Sequence, residues 1–144
     1  MRTLYSVAGV VLLLDQLTKF MALWFLKPIT NIQILPNIFH LSFVENTGIA
    51  FGLFQGHPEI LTLLITVSVL CLFICARFFV NQPLSHKLAY SFILGGSFGN
   101  WVDRLRFEHV IDFLDFRIWP VFNIADSFIT MGVIFFVWFA LKGR

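Results

Sequence analysis

Residues 110–126 read Val110-Ile111-Asp112-Phe113-Leu114-Asp115-Phe116-Arg117-Ile118-Trp119-Pro120-Val121-Phe122-Asn123-Ile124-Ala125-Asp126, and they hold three of the chain's eight acids. The first seven residues alternate and suit a strand. The last residues open an apolar run. Asn123 is placed as a helix N-cap, and Asp126 falls in the first turn, where the helix dipole favours a negative group. A carboxylate among aromatic residues is costly unless it is solvated, paired or protonated. The rest of the chain sharpens that problem. It is 58% hydrophobic and 12% charged, with 19 Phe and a mean hydropathy of +0.85. Long apolar runs at this composition indicate a membrane protein.

Working outward, four segments have the length of about 20 residues that a bilayer crossing needs: 4–26, 60–80, 84–102 and 124–141. The third is the weakest by hydropathy. The first carries Asp15 and Lys19, lacks a small-x-small cleavage site and continues to Leu26, so it reads as a retained span and not a removed signal. One membrane domain is expected over 1–144. The expected class is a mainly α, polytopic membrane protein with four transmembrane helices.

Four spans put both termini on one side. That side carries Arg2, Arg77, Lys87, Lys142 and Arg144 and no acid, which assigns it to the cytoplasm. The long connections 27–59 and 103–123 form an outer cap. Strand-like runs Ile32–Leu35 and Ile38–Val44 flank Pro36-Asn37, a turn signal, and predict a small β-sheet on the outer face. Residues Ala50–Gln55 predict a short interfacial helix.

Polar residues inside the spans need partners. Asp15 and Lys19 are four apart on one helix face and can pair, either as a structural tie or as support for a site. Gly95 and Gly99 show the small-xxx-small spacing that lets membrane helices approach closely. Asn100 requires partners from other helices. Asp103 and Arg104 sit at the span edge, where solvent or a local pair would satisfy them. Cys71 and Cys75 read as small apolar helix residues.

A net charge of +2 without a basic patch excludes nucleic-acid binding. No His-Glu-x-x-His or Cys/His cluster is present, so no metal and no cofactor are expected. The Gly-x-Ser-x-Gly spacing of residues 95–99 lies within a span and not at a strand-to-helix elbow, and His40 and Ser42 read as solvated strand positions. Paired carboxylates remain. Two aspartates held about 3 Å apart share one proton, so one draws a proton from water while the other donates. Spacing alone does not say which two meet.

Five blocks then resemble the lipoprotein signal peptidases, the signal peptidase II family of bacterial membrane aspartyl proteases. They are Asp15–Lys19, Asn46–Gly52, Gly95–Arg104, Val110–Phe113 and Phe122–Asp126, in order across nearly the whole chain. The resemblance implies cleavage of a prolipoprotein signal peptide just before a diacylglyceryl-modified cysteine, at the outer membrane interface. It maps the catalytic dyad to Asp112 and Asp126 and leaves Asp115 as a solvated or structural acid. It maps substrate-binding and supporting roles to Asp15, Lys19, Asn46, Gly96, Asn100, Asp103, Arg104 and Asn123. It further implies a multi-pass protein of the bacterial cytoplasmic membrane, in contact with lipids and expected as a monomer. Two other classes stay open: a small transporter lined by Asp15, Lys19, Asn100 and Asp126, or a structural membrane subunit.

Overall fold

The computed structural model describes residues 1–48 and 58–142. The expected helix Ala50–Gln55 lies outside the described residues. The architecture is mainly helical: α1 (Arg2–Met21), β1 (Asn31–Leu35), β2 (Phe39–Asn46), α2 (Pro58–Cys75), α3 (Leu84–Phe107), β3 (Val110–Asp115) and α4 (Ile124–Lys142). A π-helical turn at Ala22–Leu26 prolongs α1, and a 3-10 turn at Ala76–Phe79 prolongs α2.

Helix α3 is the centre of the bundle. It runs parallel to α1: Ser91 Oγ donates to Leu4 O, Gly95 faces Ala8, and Asp103 meets Lys19. It runs antiparallel to α4, since Gly132 faces Ala89 while Gly96 faces Ala125. It also runs antiparallel to α2, where Tyr90 Oη donates to Leu72 O and Trp101 Nε1 donates to Thr66 Oγ1. Arg2 and Lys142 therefore lie at one end of the bundle and the sheet at the other. The glycines make the close approach possible. A Cβ on Gly95 would lie 2.5 Å from Ala8 O, and one on Gly96 would lie 2.5 Å from Ala125 O. Both are closer than side-chain carbons can come.

Helix exteriors are apolar. Leu13, Leu17 and Phe20 of α1, Leu63, Val67 and Phe73 of α2, and Ile134, Val137 and Trp138 of α4 are exposed. A soluble monomer rarely shows such a surface. Among the described residues, Arg2–Leu26 and Glu59–Phe79 are long and apolar enough to cross a membrane; the apolar run of α4, Ile124–Phe139, is shorter. Helix α3 fails that test for a physical reason: it is the inner helix, and it spends its sequence on glycines and polar partners instead of lipid-facing bulk.

The sheet is antiparallel with order β1-β2-β3. Asn37 turns the β1-β2 hairpin at φ 60, a left-handed conformation that Asn tolerates. Helix α3 ends at Glu108 with φ 64, whose N–H bonds back to Arg104 O, an αL cap. This sharp stop turns the chain into β3 at once. Val44 then pairs with Asp112, and Asn46 with Val110. Ile111 and Phe113 point toward the end of α1 and bury with Ala22 and Leu26. By strand alternation Asp112 points to the other face, toward α4.

Candidate active site

The site forms where the N-terminus of α4 meets β3 and the last turns of α1 and α3. Asn123 caps α4: its Oδ1 accepts from Asp126 N–H at 2.9 Å, and Asp126 Oδ2 faces Asn123 N–H at 3.4 Å. This is a capping box with an aspartate at its third position. Asp15 Oδ1 accepts the next free donor, Ala125 N–H, at 2.9 Å. Orphan donors of one helix end are thus met by side chains from α4 itself and from α1.

The remaining atoms of these groups converge on two carboxylates. Asn123 Nδ2 donates to Asp112 Oδ1 at 2.7 Å, and Asn46 Nδ2 donates to Asp112 Oδ2 at 2.8 Å. Asn100 Nδ2 donates to Asp126 Oδ1 at 2.7 Å. Asp112 is 1% exposed, and Asp126 is partly open. Both line one cleft of about 410 Å³, which Asn46, Asn100, Arg104, Trp119, Pro120 and Val121 also line. Burial pushes the Asp112 carboxyl up to about 7, against the Asn46 amide; the Asp126 charge raises it further, while Asn123 and Lys19 oppose the rise.

Behind the cleft lies a buried ion network. Lys19 Nζ meets Asp15 Oδ2 at 2.9 Å, Asp103 Oδ2 at 2.8 Å and Asn100 Oδ1 at 3.0 Å. An ammonium has three donors, and all three are used. Asp103 Oδ2 also accepts from Ile111 N–H at 3.2 Å, which ties β3 to α3. Gly99 leaves room for this: a Cβ there would collide with the Asp15 carboxylate. Arg104 Nη2 donates to Gly48 O at 2.8 Å, and its Nε and Nη1 are buried without a partner among the described residues.

The structure brings together Asp15, Lys19, Asn46, Asn100, Asp103, Arg104, Asp112, Asn123 and Asp126, and Gly96 lets α4 close on α3. Two expectations from sequence need correction. Asp103 and Arg104 are not solvated at an edge; they are 1% and 5% exposed, because α3 continues to Phe107 and β3 folds over it. His40 and Ser42 are not solvated either. Ser42 Oγ donates to Asp115 Oδ2 at 2.7 Å under the cover of the sheet. Asp115 is structural, bound by Ser42 and Arg117, and these donors hold its carboxyl below the usual range, Ser42 foremost. Sequence reasoning also missed Gln16, which donates to Asp103 Oδ1 at 3.0 Å and to Gly99 O at 3.2 Å. A third polar residue between Asp15 and Lys19 in an apolar helix was the available signal.

Inward polar groups, an apolar exterior and a two-carboxylate cleft at one end define a membrane enzyme. Two solved bacterial membrane enzymes, both determined by the in meso method, have this fold. One, at 2.3 Å resolution, superposes with TM-score 0.85 at 29% identity, covering 99% of this chain and 89% of its own. The other, at 1.9 Å, gives 0.84 at 28%, covering 100% and 96%. Sequence comparison narrows the class. The family model described as Signal peptidase (SPase) II matches residues 7–142. The lipoprotein signal peptidase of Halothermothrix orenii is 39% identical over 137 residues, 93% of this chain and 94% of that protein. That of Moorella thermoacetica is 41% identical over 134 residues, 91% and 87%. The chain belongs to the signal peptidase II family and is a peptidase.

Proposed function

We propose that this chain is an aspartyl endopeptidase that removes signal peptides from bacterial prolipoproteins, cutting before a diacylglyceryl-modified cysteine, with Asp112 and Asp126 as its dyad. The observation that carries this reading is the shared cradle. Asn123 holds Asp112 through its amide nitrogen and Asp126 through its cap, on one cleft. Asp112, pushed up to about 7, suits a pair that holds one proton near neutral pH.

In this mechanism the ionised carboxylate takes a proton from water as the water oxygen attacks the scissile carbonyl carbon. The protonated partner gives its proton to the carbonyl oxygen. As the tetrahedral diol collapses, one of its hydroxyls returns a proton to the second carboxylate, the C–N bond breaks, and the proton held by the first carboxylate passes to the leaving nitrogen. Asn46 and Asn100 orient the two carboxylates. Arg104, whose Nε and Nη1 have no partner among the described residues and which lines the cleft, binds a substrate carbonyl. Asp15, Lys19 and Asp103 fix Asn100 and β3, Asn123 joins the dyad, and Gly96 permits the approach of α4.

The four helices act as spans of one membrane domain of the cytoplasmic membrane. Both termini face the cytoplasm, as the bases Arg2, Arg77, Lys87 and Lys142 favour, and the cleft faces outward. Lipid chains of the substrate stay in hydrocarbon while the peptide reaches the cleft. All named site groups come from one chain, so a monomer suffices. A transport path would need polar residues toward the termini; there the α1–α3 interface is Leu4, Ala8, Val11 and Leu94, with Ser91 bonded to main-chain oxygens.

The test is incubation of the purified protein with one precursor in lipidated and unlipidated forms, reading the cut position by mass spectrometry. Cleavage before the modified cysteine, much faster for the lipidated form, is expected. Cleavage elsewhere, or equal rates, would overturn the substrate assignment.

A further inference from the structure

The third acid of the opening stretch is unused by the chemistry above, yet it is among the most tightly bound side chains outside the cleft. Asp115 and Asp112 are three apart in one strand, so they point to opposite faces. Asp115 cannot join the dyad. Its Oδ1 accepts Arg117 N–H at 2.9 Å, and its Oδ2 accepts Arg117 Nη1 at 3.0 Å and Ser42 Oγ at 2.7 Å. Asn31 Nδ2 in turn donates to Ser42 Oγ at 2.6 Å. Asp115 thus joins all three strands to Arg117, the second residue beyond β3.

That residue is conformationally special. Arg117 has φ 65, a left-handed conformation that a residue with a Cβ adopts uncommonly. The Asp115 carboxylate grips both its main-chain N–H and its guanidinium. The segment beyond returns at once, where Leu114 and Phe122 exchange main-chain hydrogen bonds at 2.8 and 3.1 Å. Phe116 stacks on Phe122 with ring centroids 5.9 Å apart. Between these fixed points, Trp119, Pro120 and Val121 line the cleft that Asn46 and Asn100 also line. Trp119 is 66% exposed and has no ring partner among the described residues. A large aromatic that lines the cleft and is mostly exposed offers apolar surface to a ligand.

We propose that Asp115 is a positioning residue whose grip on Arg117 sets the Phe116–Val121 loop, so that Trp119 packs against the substrate residues flanking the scissile bond. This rests on the peptidase reading above. The ligand chemistry is an extended peptide with apolar side chains, the chemistry an indole face favours. Asp115 then governs substrate binding and leaves the chemical step alone.

The experiment is steady-state cleavage of a lipidated precursor by Asp115→Ala, Asp115→Asn, Trp119→Ala, Trp119→Phe and the double variant Asp115→Ala/Trp119→Ala, with Asp112→Asn as reference. Trp119→Ala should raise KM by about tenfold, the worth of one aromatic contact, with kcat within about twofold. Trp119→Phe should recover most of that. Asp115→Ala should raise KM to a similar degree, and Asp115→Asn less, since its amide oxygen still accepts Arg117 N–H. The double variant should be no worse than Trp119→Ala alone. Additive losses, or a fall in kcat with KM unchanged, would overturn the proposal. If Asp112→Asn cleaves normally, the dyad is what fails; if it is inactive while Trp119→Ala keeps the parent KM, only the loop's role fails.

Discussion

The α1–α3 interface solves one packing problem in two ways along its length. Near the termini it closes through small and apolar residues: Ala8 against Gly95, with Leu4, Val11 and Leu94 buried around them. Near the sheet the same helices close through charge. Lys19 is held by Asp15, Asp103 and Asn100, and Gly99 makes room for the Asp15 carboxylate. The apolar end tolerates local change because each contact is small and independent. The charged end does not, because removing one member leaves others buried and unpaired. The rigidity that the proposed dyad needs is placed at the end where a single loss is felt by α1, α3, α4 and β3 together.

Substitutions can break or sharpen that contrast. The largest effect is expected for Lys19→Met, which leaves Asp15 and Asp103 uncompensated. A loss of about 3–5 kcal/mol in unfolding measurements is expected, with cleavage lost as well. Stability near the parent value would mean that the network contributes little. The paired glycines come next. Gly95→Ala forces a Cβ onto the α1 backbone and should cost about 1–3 kcal/mol with kcat retained. Gly99→Ala, at the same spacing, displaces Asp15 and should lower kcat more than it lowers the heat midpoint. Equal profiles for the two variants would erase the distinction between the ends.

Acidity gives a smaller effect with a defined sign. The folded Asp112 carboxyl, at about 7, lies above its unfolded value of about 3.9. The native state therefore binds a proton that the unfolded chain has released. This contribution makes stability fall as pH rises from about 4 to about 7, after which it levels off. In the proposed mechanism cleavage also declines above about pH 7, as the pair loses its proton. Asp115 has the opposite sign, since its lowered value adds stability above about 3.9 that is lost in acid. Asp112→Asn should flatten the stability slope between about pH 4 and 7; an unchanged slope would assign it to another group. The smallest effect is expected for Lys27→Met. Its pair with Glu45, at 2.8 Å, is solvent-facing, and the change should stay within about 1 kcal/mol.

Much of this arrangement was legible in sequence. Period-2 alternation marked β2 and β3, Pro36-Asn37 marked the hairpin turn, and the i,i+4 spacing paired Asp15 with Lys19. Asn123 was readable as a cap because Asn before an apolar run is a local signal. Long-range geometry was not legible. That Asp103 would be buried depends on Glu108 stopping α3 in a left-handed turn, a conformation that Glu does not advertise. That His40 and Ser42 would be covered depends on strand pairing with Asp115 and on the Asn31 side chain from β1. The separation of Asp112 from Asp115 was in reach, since residues three apart on a strand face opposite ways.

The most direct measurement is the rate at which the wild type, Asp112→Asn, Asp126→Asn and the double variant cleave a diacylglyceryl-modified precursor, at equal amounts of folded protein. Groups that act as one unit are non-additive. Each single change should therefore abolish cleavage to within about the same limit as both, a loss of at least about a hundredfold. Turnover near the parent rate by either single variant would contradict the account.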